Sequence, residues 1–568
     1  MLAVLALTAC LPADASAGCP AALPAQGQNL PPTLAPISNE FVVANSVIPV
    51  RLVVGDDGPL DSLALTAGSN NQTLVPNTSL SFSGTGAERT LTVALNQQTY
   101  GSTQITVVAS DGSLTAQQCF VIVVQAPQTF TYSFPEGATG SFFSTDIAVA
   151  NPHNAIVPIG VTFSKDDGTS VVRSITLPPT SRSTIHVKDV AGMEASAFST
   201  QIDSPVPIFA ERLMFWGASG YGASLEQSTV GPVKSAFFAE GSQGFFHTYF
   251  LLQNPSQSAS RAYFTFMLEN APPLFRDYAM PANSRTTIDA GAVPELRNQS
   301  FGALVYFDVP GLVERAMYFG TAPLFTGGSV STGNPGISGR GDFPEGATGP
   351  FFDTFLLLAN YNLETATATL TYRPVGGIPV TKTHRIPPWQ RLTINIAAED
   401  PSLENAAVST HIDADRGLIM ERAQYWPRGN WQESHVSHGI RDPWDRGVLA
   451  EGRVGGANNA QTYILIQNPH ATPVEIAATF LRTDGTTLVK RFTAGPASRL
   501  TIGITGGPGS DVPELANESF STIIESPVLS GVSAEHSLYF DADGVSWAAG
   551  ANATSLPYPR TTLPFSCF

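Results

Sequence analysis

Charge is scarce in this 568-residue sequence: Lys, Arg, Asp and Glu together make up 13% of it. Solvent-facing helices need such residues on their outer face, and no long stretch shows helical periodicity. Basic residues are the scarcer kind, 29 against 46 acidic ones, for a net charge of −17. With no basic patch, the chain has nothing to neutralise phosphates, which speaks against nucleic acid as a partner. No apolar run reaches the roughly 18–20 residues that span a bilayer. No H-E-x-x-H, G-x-S-x-G, phosphate-loop or dinucleotide glycine pattern is present. Histidine does not cluster either. His435 and His438 stand three apart, a spacing that sends them to opposite faces of a strand. No cysteine or acidic group joins them to complete the four ligands zinc requires. No metal or cofactor is expected.

What is abundant is apolar and turn-forming. Hydrophobic residues reach 43%, with 50 Gly and 44 Pro. The apolar runs are rich in Val, Ile, Thr, Phe and Tyr, so the composition favours many short strands joined by turns. The length implies about three to five domains. The N-terminus, "MLAVLALTAC", reads as an export signal. Its Leu7-Thr8-Ala9-Cys10 ending resembles the bacterial lipobox, in which the cysteine takes a diacylglycerol. The basic stretch expected before it is missing. Cleavage after Ala15-Ser16-Ala17 is the alternative, and both readings export the protein. Of the four cysteines, Cys19 and Cys119 flank the first β-rich region. An oxidising compartment permits a bridge between them, although four cysteines allow three pairings. Cys567 lies in the tail.

One phrase is written twice. "FPEGATG" stands at 134–140 and again at 343–349, with relatives "FAEGSQGFF" at 238–246 and "LAEGRVGG" at 449–456. The shared glutamates, Glu136, Glu240, Glu345 and Glu451, are spaced 104, 105 and 106 residues apart. Each is followed by a threonine, an apolar run and an asparagine: "TDIAVANP", "TYFLLQNP", "TFLLLANY", "TYILIQNP". Arg-x-Thr-Ile or its variant recurs midway, at Arg182, Arg285, Arg391 and Arg499. Near the end come "ERLMFW", "ERAMYF", "ERAQYW" and "EHSLYF", which begin at Glu211, Glu314, Glu421 and Glu535. A unit of about 105 residues therefore occurs four times, the size of an independent two-sheet sandwich. Its apolar runs are punctuated by turn signals such as Asp167-Gly168 and Asp484-Gly485. The expected fold is all-β, a string of five Ig-like antiparallel β-sandwiches. They are placed at 28–126, 131–233, 234–340, 341–447 and 448–558, after a leader over 1–27 and before a tail over 559–568, with a linker at 126–133.

The pattern F-x-E-G-x-T-G, then S-R-x-T-I, then E-R-A-M-Y-W, resembles a tandem β-sandwich repeat of uncharacterised secreted bacterial proteins, over about 134–558. Residues 343–439 are the nearest copy, and the resemblance implies an extracellular module without implying chemistry. Residues 28–126 resemble the Ig-like or cadherin-like domains of bacterial surface proteins. Such domains often hold calcium; here the N-terminal acidic cluster is missing, and Asp56, Asp57, Asp61 and Asp111 remain.

The repeated glutamates and arginines suit a structural ion pair within each unit, costly to break singly. A glycosidase would need two facing carboxylates, and Glu136 with Glu211 is the pair to test. His536, where the other units have arginine, would break any chemistry common to all four. After each "ER" strand stands another aromatic, Tyr221, Phe325, Trp431 or Trp547, several on glycine-rich turns. Flat rings on such turns suit contact with sugar or protein. Arg340-Gly341-Asp342 spells an integrin tripeptide in a glycine-rich stretch expected to be an exposed loop. Together these features describe an exported, surface-anchored, non-enzymatic binding, adhesion or stalk protein. Its partner would be an extracellular protein or polysaccharide, and its only membrane contact the lipid on Cys10. The alternatives are a glycan binder using the loop aromatics and, more remotely, a glycoside hydrolase.

Overall fold

The computed structural model describes residues 29–558, apart from 38, 45, 98, 126–128, 270, 322–323 and 529–530. The leader with Cys10 and Cys19, and the tail with Cys567, fall outside the described residues. Cys119 is disulfide-bonded. Among the described residues the only α-helix is the single turn Ile396–Glu399, and no helix is long and apolar enough to cross a membrane.

The chain is all-β: largely antiparallel sandwiches in tandem. In the first, Val47–Gly55 alternates buried and exposed residues along its length. It pairs with Glu88–Ala94 across from a second sheet built on Gly101–Ser110 and Thr115–Gln125. Ile48, Val50, Val93, Ile105 and Val107 fill the space between the sheets. Each later unit repeats one plan. In unit 1 an outer sheet runs Ser170–Leu177, Val157–Lys165, Ser196–Ser204, Phe130–Phe134. An inner sheet runs Ser181–His186, Phe143–Asn151, Phe209–Trp216, Gly222–Gln227. Gly168 and Gly485 take up positive φ (82° in both) in the hairpins marked by Asp-Gly. The stretch expected as a linker, 126–133, includes most of the strand Phe130–Phe134, which pairs with Ser196–Ser204 of unit 1.

The units are not strung out. The last inner strand of each unit, Gly222–Gln227, Leu324–Thr332, Glu433–His438 and Val545–Thr554, packs against its counterparts on both sides. Unit 4 thereby returns to unit 1, and the four units close into a ring. This corrects the open string. A head-to-tail interface makes a closed ring whenever its rotation closes. The axial strands are rich in Gly, Ala and Ser because their backbones lie close together. A Cβ on Gly327 would fall 2.1 Å from the Gln432 carbonyl oxygen. Glu433 sits at the axis and accepts backbone N–H groups from Ala223 of unit 1 (2.9 Å) and Gly328 of unit 2 (3.0 Å). The N-terminal sandwich rests on the ring through buried Glu40, which accepts from the side chain and backbone N–H of Asn154 in unit 1.

Candidate functional site

The repeated charged residues meet at the seams between units. The repeated ion pairs form mainly between neighbours rather than within each unit as expected, although Arg315 also holds Glu240 of its own unit (3.2 Å). Arg212 of unit 1 donates to Glu314 of unit 2 (2.7 Å), Arg315 to Glu421 (2.8 Å), and Arg422 to Glu535 (2.6 Å). In unit 4 His536 takes the arginine's place, 3.3 Å from Glu211 of unit 1. The same four carboxylates accept backbone N–H groups from the preceding unit's Glu-Gly turn. Glu136 donates to Glu314 (2.6 Å), Glu240 to Glu421 (3.1 Å), Glu345 to Glu535 (3.1 Å) and Glu451 to Glu211 (2.7 Å). Each arginine also donates to the carbonyl of its own Glu-Gly glutamate: Arg212 to Glu136, Arg315 to Glu240 and Arg422 to Glu345.

A second pairing flanks the first. The Glu-Gly glutamate faces the mid-unit arginine of the next unit: Glu136 with Arg285 (2.5 Å), Glu345 with Arg499 (3.4 Å), and Glu451 with Arg182 (2.7 Å). Arg391 instead donates to the carbonyls of Gly241 and Phe301, and Glu240 accepts from the Tyr425 hydroxyl (2.8 Å). Burial pushes the Glu451 carboxyl up, but Arg182 and Arg453 outweigh it and hold it below its ordinary value. The Glu-Gly glycine is needed for close approach: a Cβ on Gly241 would lie 2.4 Å from the Phe301 ring. Glu136 and Glu211 lie in different seams, both buried, so the pair a glycosidase would need does not converge.

The loop aromatics also belong to seams. Phe325 stacks on Tyr318 (4.8 Å), Trp431 on Tyr425 (4.4 Å) and Trp547 on Tyr539 (4.6 Å). Across three of the seams these stacks meet the preceding unit: Trp216 touches Tyr318, Phe246 touches Trp431, and Phe352 touches Trp547. Tyr221 donates its hydroxyl to the Phe325 carbonyl (3.0 Å). The rings do not stand free on their glycine turns, a departure from the sequence expectation. The Phe-Phe pairs at 142–143, 245–246 and 351–352 and the tyrosines of the "ER" strands were not singled out from sequence. Their recurrence at a fixed place in three units is the signal that could have found them.

The seam between units 4 and 1 is built differently. Where the others have Phe-Phe, unit 4 carries the turn Gly455-Gly456-Ala457-Asn458. Where the others have Tyr318, Tyr425 and Tyr539, unit 1 has Phe215, in edge contact with Phe540 (5.0 Å). Asp146 of unit 1 stands where units 2, 3 and 4 have Tyr249, Phe355 and Tyr463. It pairs with Arg453 of unit 4 (2.7 Å), which also holds Glu451 (2.9 Å). A cavity of about 550 Å³ remains there.

The other expected residues fall elsewhere. Arg340-Gly341-Asp342 is not an exposed loop. It lies in the strand Ser338–Phe343, with Asp342 buried and bonded to His411 and Ser533. In the N-terminal sandwich, Asp61 accepts from Gly86 and Arg89, and Asp111 from Asn29, Ser113 and Leu114. His435 packs against Trp426, and His438 reaches Asn334 (2.8 Å). Among the described residues, no group of three or more His, Cys, Asp or Glu is placed to hold a metal ion.

No protein-family model and no curated protein matches the chain. Solved structures similar to parts of it include Thermotoga maritima 1070, 13% identical, spanning 18% of this chain and 94% of that one (TM-score 0.17). An I-band fragment from titin is 13% identical over 53% of this chain and 96% of its own (TM-score 0.16). The tandem Ig repeats of Dlar are 12% identical over 35% of this chain and 95% of their own (TM-score 0.15).

Proposed function

We propose that this is an exported, non-enzymatic binding or adhesion protein of the cell envelope, held at the surface through Cys10, in which the four-unit ring is a rigid platform. The observation that carries this reading is where the repeated polar residues go. All four "ER" glutamates, and the arginines or histidine beside them, are buried in seams. They are therefore committed to holding units together. What faces outward is sheet. On unit 2 the outer sheet carries Tyr263 (42% exposed), Tyr306 (47%) and Phe275 (67%). Tyr263 and Tyr306 are opposite each other on adjacent strands. Exposed rings grouped on a flat face are the composition of a contact surface. The partner class is an extracellular protein or polysaccharide.

The test is a binding screen of the full chain against matrix proteins and polysaccharides, beside a Tyr263→Ala, Phe275→Ala, Tyr306→Ala variant. Saturable binding weakened at least tenfold in the folded variant supports the platform reading. Turnover of any saccharide or peptide in the screen would contradict the non-enzymatic part.

A further inference from the structure

We propose that the cavity in the closing seam is a binding site for a saccharide, one or two sugar units long. It goes beyond the platform reading and stands without it. Three seams show what this location holds when it is filled: the two rings of a Phe-Phe pair against a Tyr–Phe or Tyr–Trp stack. The fourth keeps the location and removes the filling. Its Phe-Phe becomes Gly455–Asn458, and Tyr221, the residue in the place of Trp431 and Trp547, bonds into the opposite seam. The space left, about 550 Å³, lies within the range of small-ligand pockets.

The wall decides the chemistry. Phe215, set edge-on against the buried Phe540, supplies apolar surface together with the half-buried rings of Phe142 and Phe143. Ser219, Asn458, Lys188 and Glu518 surround it with hydrogen-bonding groups. A phenyl side chain entering here would cover those groups without pairing them, a cost of about 1–3 kcal/mol for each one buried. A sugar has an apolar face for the rings and hydroxyls, both donors and acceptors, for the amide, hydroxyl, ammonium and carboxylate. The site also spans the two ends of the repeat array, since Ser219 belongs to unit 1 and Asn458 to unit 4. The two turns already touch: Ser219 donates to Asp543 (2.6 Å), and Asn458 donates to the Ser219 carbonyl (3.4 Å). A bound sugar would hold the ring shut.

The test uses the full-length protein and saturation-transfer NMR with glucose, galactose, mannose, N-acetylglucosamine and cellobiose, and with N-acetylphenylalanine amide as an aromatic-peptide probe. Ala457→Trp fills the cavity from an exposed turn position; Ala218→Trp does so from the facing turn, should the first variant fail to fold. The expected result is saturable signal from at least one sugar, reduced at least tenfold in the filled variant with its melting temperature unchanged. Three results would overturn the proposal: sugar binding that survives filling, binding of the phenylalanine probe without any sugar, or binding of none of the probes by folded protein. None of these would touch the platform reading, whose surface lies on the outer sheets.

Discussion

Three seams of the ring join units that follow one another in the chain, and the fourth joins the last unit to the first. The three share two contacts: a buried Arg–Glu pair and, further along the same strands, a stack of aromatic rings. The fourth keeps the hydrogen bond from the Glu-Gly turn, Glu451 to Glu211 at 2.7 Å, but exchanges rings for charge. His536 replaces arginine, and Arg453 joins Asp146 and Glu451 at the wall of the cavity left by the missing rings. The difference shows which part of the seam sets geometry. The backbone-to-carboxylate contact is common to all four seams, so it fixes how units dock. The aromatic layer can be replaced, so it supplies strength. A chain held by three covalently tethered seams can accept a weaker fourth, because tethering raises the effective concentration of the closing partners.

The largest expected effect comes from breaking a tethered seam at its buried Arg–Glu pair. Arg212→Met leaves Glu314 buried and unpaired, and should cost about 3–5 kcal/mol in urea unfolding. The double variant Arg212→Met with Glu314→Leu should recover part of that loss, because no uncompensated charge remains. His536→Leu in the closing seam should cost less than Arg212→Met, since neither imidazole nitrogen of His536 makes a hydrogen bond. An equal cost at both seams would erase the distinction.

Next in size is the aromatic layer. Trp431→Ala removes the ring stacked on Tyr425 and should cost about 2–4 kcal/mol, near the lower part of the range for large core rings because Trp431 is half-buried. Filling the closing seam with Ala457→Trp should leave the melting temperature nearly unchanged. A loss there as large as that of Trp431→Ala would mean that the fourth seam is already full.

The pH dependence follows from Glu226, which lies between units 1 and 2. Burial, helped by the charge of Glu314, pushes its carboxyl up to about 8. A folded-state value above the unfolded one means that the folded protein holds the proton more tightly. The stabilising contribution is fully present below the ordinary carboxyl range and is lost as pH rises through 8. Glu40, at the junction with the N-terminal sandwich, is pushed by burial to about 8 and has the same sign. Glu226→Gln should therefore flatten the fall in stability between about pH 4.5 and 8, read from melting temperatures across that window. An unchanged slope would show that Glu226 is ionised in the fold.

The smallest effect is that of salt. Arg453 and Asp146 keep 20% and 14% of their side chains exposed, whereas Arg212 and Glu314 keep none. Raising salt from 0.1 to 1 M shortens the screening length from about 10 to 3 Å. Amide exchange should then rise in the Gly455–Asn458 turn before it rises in the turns of the other seams. Uniform exchange around the ring would count against an electrostatic closing seam.

Much of the fold was legible in the sequence. The four-fold repeat, the sandwich class and the Asp-Gly hairpins follow from period, apolar pattern and turn chemistry. What was not legible is who pairs with whom. A glutamate and an arginine that recur at one period meet the spacing rule equally well within a unit, as Glu136 with Arg182, or one unit on, as Glu136 with Arg285. Only the curvature of the assembly chooses, and curvature arises from small residues at the axis such as Gly222, Gly327 and Gly550 that read in sequence as ordinary turn or strand glycines. Closure left one trace. The irregular Arg453 of unit 4 answers the irregular Asp146 of unit 1. The loop aromatics were found, but their stacking partners lie one strand away, where sequence shows only another apolar run.

The central claim is closure, and small-angle X-ray scattering of the full chain in solution tests it most directly. A ring carrying one docked sandwich should have a radius of gyration near the compact value for its length, about 24 Å for roughly 530 residues. A Guinier radius roughly twice that value, with the scattering profile of a rod, would mean that units 4 and 1 do not meet and that the units hang in a string.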